Sequence, residues 1–291
     1  MQLEKETKLG FSLIELSVSI LIIGLLIVGV SKTSQIIGDG KLLAARSITK
    51  NSFPYLNSSK LALWYDAAAE ESFDADIEDG DSVATWIDVN PDVDSNNIDV
   101  TASGTSPIYV AGATNGLPAI RFTNDQLLIG NLKAGKLTED GEQITIFIVQ
   151  NYFFPNHTST NFKWRTEVGN INIRTYGTAS TGEIIFDFGA CCGADARLRF
   201  RPPQPFADKT NILTYLNTPN DFSAVRINGF QHKFDDMITS SVDINLTADL
   251  IIAETMNGDM NEIIVFKTAL KDSQIESVER YLSRKWGVDL E

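Results

Sequence analysis

The sequence predicts a mainly β protein: an apolar amino-terminal α-helix, then a large β-sandwich closed by one carboxy-terminal helix. Three observations carry that reading. Phe11 to Val30 is a twenty-residue apolar run broken by a single charge, Glu15. From Leu61 onward the apolar residues fall in short runs, alternating or continuous, separated by Gly, Pro, Asn and Asp, as strands and turns require. Only Ser273 to Arg284 shows helical spacing after that. The chain has 291 residues, and a β-sandwich of ~200 to 250 residues folds as one unit, so one large domain plus an extra segment accounts for the length.

The apolar run is long enough to cross a bilayer core as a helix, which takes about 20 residues at ~1.5 Å each. A secretory signal has a shorter apolar region, ~7 to 15 residues, and a small-residue cleavage site after it. The leader MQLEKETKLG sets Lys5 and Lys8 against Glu4 and Glu6, so it gives little orientation by charge. Glu15 is the anomaly, because a carboxylate in such a helix costs roughly 2.5 to 3.5 kcal/mol and marks function. No cation lies between Phe11 and Val30, so its partner comes from another chain, from lipid or from the chain terminus.

The residues Gly10-Phe11-Ser12-Leu13-Ile14-Glu15-Leu16, followed by that run, resemble the type IV prepilin family, type II secretion pseudopilins included. The resemblance covers about 25 residues. It implies that a membrane prepilin peptidase cuts between Gly10 and Phe11 and methylates the Phe11 amine, and that Glu15 neutralises the terminal amine of a neighbouring pilin subunit during assembly. It also implies a single pass of the bacterial inner membrane before incorporation into a pilus or pseudopilus, periplasmic or extracellular. The leader departs from the pattern in not being clearly basic, and the helix lacks the proline at which many pilins kink.

Beyond Val30 polar residues enter, and Gly38-Asp39-Gly40 is expected to end or bend the helix, each glycine costing ~1 kcal/mol there. Lys41 to Thr49 can resume as a short amphipathic helix. The predicted layout is a leader at 1–10, a pilin helix at 11–50 with its membrane span at 11–30, a linker at 51–60, and an ectodomain at 61–291.

In the ectodomain the strand candidates are Leu61 to Tyr65, Val83 to Asp88, Pro107 to Val110, Ala119 to Phe122, Ile144 to Gln150, Phe162 to Val168, Ile171 to Tyr176, Glu183 to Phe188, Arg197 to Arg201, Ile212 to Leu216, Ser223 to Ile227, Val242 to Leu246, Leu250 to Ala253 and Glu262 to Phe266. So many short strands indicate a sandwich. In the closing helix Ser273 and Glu276 spell a capping box, and Ile275, Val278, Tyr281 and Leu282 share the face that should dock on a sheet. The phrases Leu63-Trp64-Tyr65-Asp66-Ala67, Val83-Ala84-Thr85-Trp86-Ile87-Asp88, Asn115 to Phe122, Glu262 to Phe266 with Ala269-Leu270, Tyr281-Leu282 and Lys285-Trp286-Gly287 resemble concanavalin A-like, laminin G-type jelly-roll domains. The resemblance implies a lectin-like head and carries no ligand specificity. Trp64, Trp86 and Trp286 read as core residues rather than sugar platforms.

Charge and motifs narrow the chemistry. The formal charge is -14. Residues 61–120 hold twelve Asp or Glu and no Lys, Arg or His, which disfavours nucleic acid as a partner. Glucanases of this fold class place carboxylates at alternate positions of one strand, ~5 to 5.5 Å apart in retaining enzymes, and no Glu-x-Asp-x-Glu occurs. His157 and His232 lie in no triad or metalloprotease spelling, and Gly-x-Ser-x-Gly and phosphate loops are absent. The expectation is no enzyme and no cofactor beyond a candidate calcium. Asp74, Asp76, Glu78 and Asp81, and Asp92, Asp94 and Asn96, alternate oxygens as a hard-cation loop does, although solvated acidic loops are the simpler reading. Arg197, Arg199 and Arg201 share one strand face and are the candidates for an anionic-glycan contact, with pairing to internal carboxylates as the plainer role. Cys191 and Cys192 are adjacent, and either a vicinal disulfide or two thiols fits them.

Together these readings describe a pilin-like filament subunit displaying a head for adhesion to a glycan or surface protein. The alternatives are a membrane-tethered glycan-binding receptor that does not polymerise, and a type II secretion pseudopilin.

Overall fold

The computed structural model describes residues 13–74, 76–92, 98–123, 126–131, 143–153, 158–165, 171–178, 183–190, 197–200, 208–218, 222–232 and 249–291. The chain divides into two units, the first ending at Leu43 and the second running from Ala44 to Glu291. Helix α1, Leu13–Lys50, is 38 residues long, about 57 Å at ~1.5 Å per residue. It runs through Gly38-Asp39-Gly40 and does not end there, so the first of the two outcomes expected from the sequence, an end to the helix, does not occur. Two glycines lower helix propensity, yet propagation between good helix formers on both sides costs far less than renucleating a helix.

The second unit is a two-sheet sandwich, and every strand pairing described is antiparallel. One sheet has the order β14-β13-β12-β7-β16-β5-β4, with β1 beside β16. Its strands are β1 (Leu61–Asp66), β4 (Ile108–Thr114), β5 (Leu117–Thr123), β7 (Ile144–Tyr152), β12 (Thr210–Thr218), β13 (Phe222–Ile227), β14 (Phe230–His232) and β16 (Asn257–Phe266). The other sheet has the order β11-β10-β9-β8-β15-β6-β3-β2. It is built from β2 (Thr85–Trp86), β3 (Val100–Ala102), β6 (Leu128–Asn131), β8 (Thr158–Arg165), β9 (Ile171–Thr178), β10 (Glu183–Ala190), β11 (Arg197–Phe200) and β15 (Asp249–Ile252). Val83 to Asp88 was expected as a full strand, and only Thr85–Trp86 pairs. The candidates at 166–168, Arg201 and Val242 to Leu246 lie outside the described residues.

The core between the sheets takes alternate side chains from each strand: Leu63 and Tyr65 from β1, Ile146 and Ile148 from β7, Leu213 and Tyr215 from β12, Phe186 from β10, and Leu250 and Ile252 from β15. Trp86 packs there too, its ring 5.3 Å from that of Tyr65. The first sheet is buried on its outer face as well. That explains why β7 reads as a nearly unbroken apolar run, since a strand covered on both sides has no solvent-facing positions to alternate.

The cover is α2 (Phe53–Leu56) and α3 (Asp272–Trp286). Phe53 and Phe147 each bring a ring 6.1 Å from that of Phe266. Helix α3 starts one residue before the expected cap: Lys271 occupies the N-cap position, and its backbone N–H donates to the Gln274 side chain at 2.9 Å. Gly287 ends the helix in a left-handed conformation, φ 68°, where a Cβ would also come within 2.8 Å of the Asn115 side chain. The predicted docking face holds, with Ile275, Val278, Tyr281 and Leu282 all buried.

A register shift in β16 between Met260 and Glu262 resets the alternation. Met260, Ile263 and Val265 face the core between the sheets, while Glu262 is turned to the outer layer beneath α3. Such a bulge re-aims side chains without breaking the sheet.

Candidate functional site

In the first unit the feature that demands a partner is the surface of α1. Its described large apolar side chains from Ile14 to Leu26 are each 48 to 73% exposed, and Ile36 and Ile37 continue the pattern. They point in all directions around the axis, so no single face could be covered by docking on a globular partner. Among the described residues no helix is long and apolar enough to cross a membrane. The stretch expected to span, 11–30, is described only in part. Gly10 and Phe11 lie outside the described residues, and Glu15 sits on α1 with its side chain outside them.

In the second unit the most chemically loaded place is the outer layer where β1, β16 and α3 meet. Asp66 and Glu262 stand opposite each other in the β1–β16 pairing. Both carboxylates bind Lys285 of α3, whose Nζ lies 2.5 Å from Asp66 Oδ2 and 2.9 Å from Glu262 Oε2. The lysine side chain is 0% exposed. Glu262 also accepts from Trp64 Nε1 at 2.8 Å, the Tyr281 hydroxyl at 2.7 Å and Trp286 Nε1 at 2.7 Å. Asp66 Oδ1 accepts the Ala68 N–H at 2.9 Å. Lys285 Nζ sits 5.0 Å from the centroid of the Trp286 ring. Burial pushes the Glu262 carboxyl above its usual range, against the pull of Lys285. Burial likewise holds the Tyr281 hydroxyl well above 10.

Trp64, Trp86 and Trp286 are therefore buried, as expected. Sequence reasoning missed that two of them serve as hydrogen-bond donors, and that the charged residues of the same phrases form the site with them. The signal was present: Asp66, Glu262 and Lys285 are charges set inside otherwise apolar phrases, and a buried charge needs a partner.

Asp88 performs a related task on the edge of β1. Its carboxylate accepts the backbone N–H groups of Trp64 at 2.8 Å, Asn90 at 3.1 Å and Ile98 at 3.2 Å. Desolvation still dominates and pushes this carboxyl up to about 6.

The remaining sequence candidates separate. Asp74, Asp76 and Asp81 line one cleft of about 330 Å³ together with Phe73 and Ile77, whereas Asp81 Oδ2 is engaged by the Glu78 N–H at 2.9 Å. Asp92 donates its N–H to Asn90 Oδ1 at 3.2 Å, and Asp94 and Asn96 lie outside the described residues. Among the described residues no three acidic, histidine or cysteine side chains come close enough to share a metal ion. Arg197 is 9% exposed and makes a two-pronged ion pair with Asp187, 2.5 and 2.9 Å, so it takes the internal role rather than the surface one. The Arg199 side chain, Arg201, His157, Cys191 and Cys192 lie outside the described residues.

A comparison with family models finds no match, and no curated protein matches either. Solved structures do. The binding domain of botulinum neurotoxin serotype D is similar at 12% identity and a TM-score of 0.58, over 80% of this chain and 55% of that one. Domain 4 of AbnA, an extracellular arabinanase of Geobacillus stearothermophilus solved with arabinotriose, is similar at 16% identity and a TM-score of 0.51, over 76% of this chain and 98% of that one. The binding domain of botulinum neurotoxin DC, solved with SialylT, is similar at 10% identity and a TM-score of 0.52. It is matched over 77% of this chain and 52% of its own. The chain thus spans about half of the neurotoxin binding domains and nearly all of the arabinanase domain. At these identities the likeness shows the fold alone, a two-sheet antiparallel β-sandwich.

Proposed function

We propose that the chain is a type IV pilin-like filament subunit that displays a lectin-like, non-catalytic head for binding glycan. The single observation that carries the filament half is the all-round exposure of the apolar side chains of α1, directly after a prepilin-type Gly10-Phe11 junction. In that reading the helix waits in the inner membrane, spanning with 11–30. It then exchanges lipid for the helices of neighbouring subunits, where Glu15 meets a neighbour's methylated Phe11 amine. The glycan half is supported at the level of fold by AbnA domain 4, a domain of matching extent solved with arabinotriose. Calcium in the acidic loops and a contact from Arg199 or Arg201 remain part of the proposal for the ligand surface.

The test is incorporation. Glu15→Ala should leave membrane insertion and processing intact while reducing the subunit's yield in sheared filaments. Normal incorporation of that variant as the only copy would favour the tethered receptor, and recovery solely in short periplasmic assemblies would favour the secretion pseudopilin. For the head, binding to a glycan array with calcium and with chelator decides between a glycan ligand and a protein-contact surface.

A further inference from the structure

Lys285, Asp66 and Glu262 form a closed set: two acids and one base, all essentially without solvent contact. Removing two or three charges from water costs free energy that a simple ion pair seldom recovers, and here one negative charge is left in excess. The set is also ordered for chemistry. The amine nitrogen touches one carboxyl, Asp66, whose other oxygen is held by a backbone N–H from Ala68. A second carboxyl, Glu262, touches the same nitrogen at 2.9 Å. The rings of Trp64, Tyr281 and Trp286 surround the group, keeping out the water that would reverse a condensation.

We propose that Lys285 and Asp66 condense to an intramolecular isopeptide bond, with Glu262 as the proton carrier. Glu262 takes a proton from the Lys285 ammonium and passes it to Asp66 Oδ2, leaving a neutral amine beside a neutral carboxyl. The amine lone pair attacks Asp66 Cγ and the C–N bond forms, with the negative charge developing on Oδ1, where the Ala68 N–H already donates. Glu262 then moves a second proton from the nitrogen to Oδ2, which departs as water when the C–O bond breaks. The products are one amide, one water and a Glu262 carboxylate still held by Trp64, Tyr281 and Trp286. No oxidant, cofactor or partner protein enters. Amide formation from free amine and acid is unfavourable in water, but fixed geometry supplies effective molarities on the order of 10⁵ to 10⁸ M. The bond ties the first strand of the sandwich to its last helix.

Peptide mapping of the folded full-length chain, denatured before trypsin digestion, tests this. The expected result is a branched species joining peptide 61–121 to peptide 285–291, one water lighter than their sum, with no cleavage after Lys285. Asp66→Asn should give the same branched mass, because ammonia leaves in place of water. Glu262→Gln, which keeps the side-chain shape, should reduce the branched species at least tenfold. Wild-type protein that yields a free 61–121 peptide and cleavage after Lys285 overturns the bond. Undiminished branching in Glu262→Gln overturns the role given to Glu262.

Discussion

Trp64, on the first strand of the sandwich, donates its indole N–H to Glu262, on the last strand, at 2.8 Å and 198 positions away in the chain. The same carboxylate holds Tyr281, Lys285 and Trp286 of the closing helix, so one side chain joins the two ends of the domain.

Glu262→Ala should therefore lower the stability of the head by about 3 to 5 kcal/mol, the usual cost of breaking a buried ion pair. It strands the indole donors of Trp64 and Trp286 and takes one of its two carboxylates from the buried Lys285, which keeps Asp66. Urea denaturation of wild type and variant measures it, and a loss under 1 kcal/mol would show that water enters and replaces the carboxylate.

Asp88 gives the head a pH dependence. Its carboxyl titrates near 6 in the folded protein against 3.8 unperturbed, so between about pH 4 and 6 the native state keeps a proton that the unfolded chain has lost. Stability from this group is full below pH 4 and is lost as the pH rises through 6, by at most about 3 kcal/mol. Glu262 contributes in the same direction. Asp88→Asn should flatten the slope over that interval, as read by urea denaturation at pH 4, 5, 6 and 7; an unchanged slope would assign the dependence elsewhere.

Arg197→Ala takes the two-pronged guanidinium contact from the buried Asp187 carboxylate, and should cost about 3 to 5 kcal/mol while leaving glycan-array binding of the folded fraction unaltered. Loss of binding without loss of stability would return Arg197 to the ligand surface.

The segment 44–60 should be needed for a stable head. Ala45 and Pro54 are buried, and Thr49 Oγ1 lies 3.2 Å from the Tyr281 hydroxyl. Arg46 donates to the Ala68 carbonyl at 3.0 Å, and the Lys267 N–H donates to the Lys60 carbonyl at 2.8 Å. A fragment of residues 44–291 should melt several degrees above one of residues 61–291, because the shorter fragment exposes Phe266 and Tyr281. Equal melting temperatures in calorimetry would make 44–60 a spacer.

Much of this architecture was legible in the sequence because it rests on local pattern. The runs around Ile146, Leu213 and Ile263 announce buried strands, and the spacing of Ile275, Val278 and Leu282 announces a docking helix. Short strands were not legible: β14 is three residues long and β3 has one buried apolar side chain. One of them carried a signal that was missed. Asn228-Gly229, with φ of 50° and 85°, is a two-residue hairpin turn joining β13 to β14. The site at Glu262 was hidden for another reason. Its polar members lie 219 positions apart, and only the pairing of β1 with β16 and the docking of α3 bring them together.

The central claim, that this is a processed filament subunit, is tested most directly by the intact mass and terminal sequence of the protein recovered from membranes or filaments. The account predicts a chain that starts at N-methylated Phe11, ten residues shorter than the translated sequence. A mature terminus beyond Val30, or a chain retaining Met1 to Gly10 in assembled filaments, would contradict it.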